Sequence, residues 1–336
     1  MRALLLILIA AISYAAEPGY KVVDKIKIGG TGTFWDYVYI DSSAARLYVS
    51  HSNQTEVVDL KTNKVIGTVK ETQRIHGIAV APDLNRGFTS NGATNNVTVF
   101  DLKTLATVGT VATGTNPDAI LYEPSTHKVF AFNGNTKDAT VIDAKTSMVL
   151  ATVPVGGKPE FAQTDGKGKV FFNVEDTAEI VEMDAAKATI TKRIKLAPCE
   201  DPTGLAIDRG KSRLFAACGN KLMAIVDFKA WKLIATVPIG AGADGAAFDD
   251  GLAFSSNGSD GTMTVIGEEG GKWVVKETVP TQRTARTMGV DTKTHRLYLP
   301  AAENGPAPAP KDGKAPKGGG RGPLLPDSFT VLVVGR

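Results

Sequence analysis

The sequence predicts an all-β, seven-bladed β-propeller with four antiparallel strands in each blade. Three observations predict it. A unit recurs about every 42 residues along the 336-residue chain. Each unit reads as four short strands separated by turn residues. The last unit lacks a fourth strand, and a segment near the N-terminus has the pattern to supply it.

The repeat is marked by an aspartate that ends an alternating strand and precedes Lys-Thr. Its clear copies are Val57-Val58-Asp59-Leu60-Lys61-Thr62, Val99-Phe100-Asp101-Leu102-Lys103-Thr104 and Val141-Ile142-Asp143-Ala144-Lys145-Thr146. Weaker copies stand at Glu182-Met183-Asp184 and Val226-Asp227-Phe228-Lys229, so the aspartates are spaced by 42, 42, 41 and 43 residues. Val265-Ile266-Gly267 and Val333-Val334-Gly335 occupy the equivalent points of the last two units.

Within a unit, the first strand is small and apolar, as in Gly77-Ile78-Ala79-Val80. The second is of the Arg46-Leu47-Tyr48-Val49-Ser50 type, the third of the Asn96-Val97-Thr98-Val99-Phe100 type. The fourth, such as Lys64-Val65-Ile66-Gly67-Thr68-Val69, follows the aspartate turn. β-Branched residues fill these runs and turn formers bound them. The final unit carries strands near Met288–Val290, Leu297–Leu299 and Phe329–Val334 and then ends. Tyr20–Gly29 matches the fourth-strand pattern and is expected to complete that blade, which would leave no free sheet edge.

Composition agrees with this architecture. Hydrophobic residues make up 43%, enough for a large core, and 35 glycines suit many tight turns. The net charge of +3 is too small to argue for nucleic acid or an anionic membrane. Residues 1–16 read as a signal peptide: Arg2, an apolar run from Leu4 to Ile12, then small residues at Ser13 and Ala15. That run is too short to span a bilayer. The mature chain is therefore expected in the periplasm or secreted, as one propeller over residues 20–336 and as a monomer.

Arg46-Leu47-Tyr48-Val49-Ser50-His51 resembles the R-L-Y-V-[ST]-N segment of the YVTN repeat. Ala139–Thr146, followed by Val149–Pro159, resembles its remainder. The YncE-like proteins that share this repeat are specific in fold and diverse in function. The resemblance implies an exported propeller and admits single-stranded DNA binding, surface-layer roles and lactonase activity.

A functional site is expected on the face where each blade's fourth strand leads into the next blade's first. The residues entering the seven inner strands align as Asp36, His76, Asp118, Glu160, Thr203, Asp244 and Arg286, with Trp35 beside them. They should ring the channel mouth and bind a small molecule or a protein. Asp36, Asp118, Glu160 and Asp244 are candidate ligands for a divalent metal ion, since carboxylates suit hard cations and His76 adds an imidazole. No nucleophile–base pair stands out, which favours a non-catalytic binding or scaffold role. The alternatives are a metal-dependent, lactonase-like hydrolase and a single-stranded DNA binder; against the last, aromatics are only 7%.

Three further features bear on this face. Cys199 and Cys218 fall on the same face of one unit and are expected to form a disulfide. Residues 303–327, rich in Pro, Gly and Lys, interrupt the last unit between its second and third strands and are expected to be disordered. Gly240-Ala241-Gly242-Ala243-Asp244-Gly245 matches a dinucleotide fingerprint, but a strand follows rather than a helix, so it reads as a Gly-rich connection.

Overall fold

A computed structural model describes residues 19–30, 34–306 and 322–336. The signal peptide expected at 1–16 lies outside the described residues. Seven four-stranded antiparallel sheets form, each in simple sequential order except the last. Blades 1 to 6 span residues 38–69, 75–112, 117–154, 159–195, 202–238 and 243–280. Blade 7 combines Gly289–Asp291, Arg296–Ala301 and Thr330–Gly335 with the N-terminal strand Lys21–Lys27. That strand pairs antiparallel with the C-terminal one, Lys21 opposite Gly335 and Lys27 opposite Thr330. The only helical elements among the described residues are two three-residue turns, Pro82–Leu84 and Glu175–Thr177.

The repeated residues have distinct physical tasks. The aspartate after the third strand closes its hairpin. In blade 2, Asp101 Oδ1 accepts from the backbone of Lys103 at 2.9 Å and Thr104 at 2.8 Å; Asp143 does the same with Lys145 and Thr146 at 2.9 and 2.7 Å. These are side-chain-capped turns, which explains why the strand-ending residue is Asp. Blade 6 has Gly267 at that point and turns instead at Gly270-Gly271, both with positive φ (57° and 76°), the primed turn that suits a two-residue hairpin.

The second strand supplies the core. Its third residue is aromatic in every blade: Tyr48, Phe88, Phe130, Phe171, Phe215, Phe254 and Tyr298, all fully buried. Its first residue reaches the neighbouring blade in three cases. Arg46 donates to the Leu102 carbonyl, Arg86 to Ala144 O at 3.3 Å and Lys128 to Ala185 O at 2.9 Å. One segment thus fills the blade and ties it to the next.

Cys199 and Cys218 are joined by a disulfide with Cα atoms 5.8 Å apart. The insertion is tied at its base. Gly305 N donates to Pro323 O at 2.7 Å and Leu325 N to Glu303 O at 2.8 Å, so 303–306 and 322–327 run side by side. Residues 307–321 lie outside the described residues. No helix of the described residues is long and apolar enough to cross a membrane.

Candidate functional site: the channel mouth

The inner strands of blades 2 to 6 share one irregularity at their first residues. The pairing with the second strand skips between Ile75 and Ile78, Pro117 and Ile120, Pro159 and Ala162, Pro202 and Leu205, and Ala243 and Gly245. His76, Asp118, Glu160, Thr203 and Asp244 all fall inside these skips. A bulge releases a residue from the ladder and re-aims its side chain. Hydrogen bonds fix the freed backbone: Asp36 N donates to Ser50 Oγ at 2.7 Å, Tyr37 N to His76 O at 3.1 Å and Asp244 N to Arg286 O at 3.1 Å.

Five of the seven predicted ring residues form one continuous chain of contacts. Arg286 binds Asp244 through Nη1 and reaches Asp36 Oδ1 through Nη2 at 3.4 Å. His76 Nδ1 lies 2.7 Å from Asp36 Oδ2 and 3.4 Å from Asp118 Oδ1. Asp36, His76 and Asp118 are buried, and one ligand atom from each falls within 4.8 Å of the others. Asp118 Oδ1 and His76 Nε2 accept or donate no hydrogen bond. Phe34 packs edge-on against the His76 ring at 5.1 Å, and Arg74 lies over Phe34 at 5.2 Å.

The other two residues stand apart from this trio. Glu160 is buried beside Lys158 Nζ at 2.7 Å and accepts from Tyr37 Oη at 3.2 Å; Lys158 also binds Glu175. Thr203 Oγ1 donates to Ala243 O at 3.1 Å, so its hydroxyl serves the backbone of the next blade. Trp35 packs on Phe329 at 5.2 Å, and its carbonyl accepts from Arg286 at 2.8 Å. The four carboxylates predicted as metal ligands are thereby divided. Asp36 and Asp118 share His76, whereas Glu160 and Asp244 each hold a resident cation.

Electrostatics sharpen the division. Burial pushes the Asp118 carboxyl up to about 7, opposed by His76 and reinforced by Asp36 and Asp244. Burial and the Asp118 charge push Glu160 up to about 9 against the pull of Lys158. Asp244 is raised by burial despite Arg286, again with Asp36 adding to the rise. Burial alone would lower His76, but its hydrogen bond to Asp36 and the charge of Asp118 raise it. The carboxyls here are buried and close enough together that Asp118 and Glu160 resist ionisation.

Sequence reasoning missed Tyr37 and Lys158. Lys158 carried a signal, since it precedes Glu160 by two residues in Gly157-Lys158-Pro159-Glu160 and alternation puts both on one side of the strand. Tyr37 carried none, because its hydroxyl meets Glu160 across three blades.

The architecture recurs in solved structures. This chain is similar to Kuenenia stuttgartiensis hydrazine synthase, with a TM-score of 0.68 and 14% identity over 81% of this chain and 94% of that one. It is similar to U3-55K, with a TM-score of 0.74 and 7% identity over 94% and 99%. The chain is a seven-bladed β-propeller. At these identities the likeness concerns the fold alone. No known family's sequence profile matches the chain, and no curated protein does.

Proposed function

We propose that the protein is an exported binding propeller of the YVTN/YncE-like kind, whose ligand site is the channel mouth. A divalent transition-metal ion held by Asp36, His76 and Asp118 forms part of that site. The observation that carries this reading is Asp118. Its Oδ1 is buried without a hydrogen-bond donor while facing His76 Nδ1 at 3.4 Å. An unpaired buried carboxylate is costly, and a cation is the ligand that relieves it. His76 Nδ1 lies 2.7 Å from Asp36 and 3.4 Å from Asp118, and one donor atom from each of the three falls within 4.8 Å of the others, close enough to converge on one ion. An imidazole among carboxylates favours zinc or manganese over calcium, which takes an all-oxygen shell.

Three protein ligands leave coordination positions for a small molecule or for a side chain of a partner. The same vacancy supports a second reading, a metal-dependent hydrolase of lactones or esters, in which the ion activates water. Single-stranded DNA binding is less favoured, because Lys158 and Arg286 are engaged by Glu160 and Asp244 and the chain carries few aromatics (7%) on which bases could stack. Export predicts a mature N-terminus at Ala16 or Glu17, read by intact mass of protein recovered from outside the cytoplasm.

The test is calorimetric titration of chelator-treated protein with zinc, manganese and calcium. One site, lost in Asp118→Asn and in His76→Ala while Thr203→Val retains it, is the expected result. Absence of saturable binding of all three ions would reduce the mouth to a hydrated polar ring. If an ion binds, turnover of a lactone panel that disappears with His76→Ala decides for the hydrolase.

A further inference from the structure

Beneath the mouth, on one side of the channel, lies a cavity of about 780 Å³. It runs along the inner strands of blades 1 to 4 to the face opposite the mouth, where turn residues such as Pro82, Pro124 and Gly166 rim it. Its walls are apolar: Ile78, Val80, Leu121 and Phe161 are among them, with the rings of Tyr37 and Tyr39. The volume falls within the range of small-molecule sites, and an apolar wall with few polar groups is their usual character.

The polar groups at the open end are unequal. Asp83 accepts from the Tyr122 hydroxyl at 2.9 Å and pairs with His127 at 3.0 Å. Asp165 accepts from the backbone of Lys167 and Lys169 at 2.8 and 3.0 Å. Gln163 donates to Leu205 O at 2.9 Å. Arg209 differs. It is the one cation among the lining residues, its Nε donates to Thr164 O at 2.9 Å, and its Nη groups meet no acceptor among the described residues. The Nε bond holds the guanidinium at the rim while its two outer nitrogens stay available, the geometry that receives a carboxylate by two parallel hydrogen bonds.

We propose that this chamber binds a small amphipathic carboxylate, its aromatic or aliphatic body among Ile78, Val80, Leu121 and Phe161 and its carboxylate on the Nη groups of Arg209. The site is separate from the mouth and opens on the other face. Tyr37 is the residue common to both, with its ring on the chamber wall and its hydroxyl on Glu160.

The experiment is calorimetric titration of the mature protein with naphthoate and with its neutral counterpart naphthamide, in chelator. Naphthoate is expected to bind, and naphthamide to bind about tenfold more weakly. Arg209→Ala removes the difference between the two, with its melting curve confirming that the variant folds although the Nε bond to Thr164 O is lost. Leu121→Trp, which narrows the chamber beside the ring site, weakens binding of both, with its own melting curve confirming that it folds. Failure of naphthoate to bind, equal affinities in the parent protein, or binding unchanged in a folded Leu121→Trp variant would each overturn the assignment. A naphthoate affinity that depends on added zinc would place the probe at the mouth and overturn it as well, whereas the same affinity with and without zinc is the expected result.

Discussion

The channel has a closed side and an open side, and the trio of Asp36, His76 and Asp118 and most of the chamber wall stand on the open one. On the closed side, a Cβ added to Gly204 of blade 5 would lie 2.6 Å from the Gly245 carbonyl carbon of blade 6. One added to Gly245 would lie 2.7 Å from Met288 N and 2.8 Å from Thr287 Cα of blade 7. Three successive inner segments therefore touch backbone to backbone, which only glycine permits. On the open side the equivalent Gly77 of blade 2 is looser, with the Ile120 side chain at 3.0 Å and Asp118 O at 3.1 Å as its nearest neighbours across the blade boundary. Drawing three blades together at one point leaves room at another, and the chamber and the trio of Asp36, His76 and Asp118 occupy that room.

Pushing the closed side apart is expected to have the largest effect. Gly245→Val is expected to cost about 3 kcal/mol, the upper end for overpacking, and to lower the melting temperature by roughly 5–10 °C. Ala119→Val, on the open side, is expected to shift it by about 1 °C. Equal losses in thermal denaturation would show that the two sides are packed alike.

Next in size is the disulfide of blade 5. Cys199→Ala with Cys218→Ala opens a loop of sequence separation 19. It is expected to lose about 3 kcal/mol in the chain-entropy description, measured by urea denaturation. Discounting for the residual order of the unfolded chain places it just below Gly245→Val.

The open side can be separated from the closed one by pH. Asp118 and Glu160 titrate at about 7 and about 9 when folded, above their ordinary values. The folded chain thus binds more protons than the unfolded chain across this window. Their contribution to stability is complete in acid and is lost as pH rises through about 7 and then about 9. In chelator the melting temperature is expected to fall by on the order of 5 °C between pH about 5 and about 9, and less in Glu160→Gln. A bound ion should flatten the slope. A profile that is the same in parent and variant would sink the electrostatic account.

The smallest expected effect is at the hairpins. Asp143→Ala removes three turn hydrogen bonds on an exposed loop and should cost about 1 kcal/mol, within reach of chemical denaturation. The Gly270-Gly271 turn of blade 6 needs no such side chain.

Most of the fold was legible because a propeller repeats its local instructions. The Asp-x-Lys turn, the aromatic second strand and the missing last strand each recur or close at a fixed interval, so a single sequence reports them several times. The predicted fourth strand Lys64–Val69 coincides with the observed one, and Gly77–Val80 lies within the observed Ile75–Ala81. The ring of residues was legible for the same reason. Its internal pairing was not. Alternation in Lys158-Pro159-Glu160 hints at the Lys158 pairing, but nothing in the sequence says that Tyr37 meets Glu160 or that Asp118 turns to His76, since those contacts cross between blades. The chamber was illegible as well, because an empty volume leaves no residue pattern of its own.

The pairing of Lys21–Lys27 with the C-terminal strand has a consequence for synthesis. A chain emerging from the ribosome presents its first strand long before its last, and the two are neighbours only in the finished ring. Six blades can assemble in sequence while the seventh waits, with Thr330–Gly335 the last partner to arrive. Until then the nascent protein is an open arc with a bare strand at its leading end, the state most exposed to mispairing. Loss of Thr330–Gly335 would therefore leave not a shortened propeller but an unsealed one.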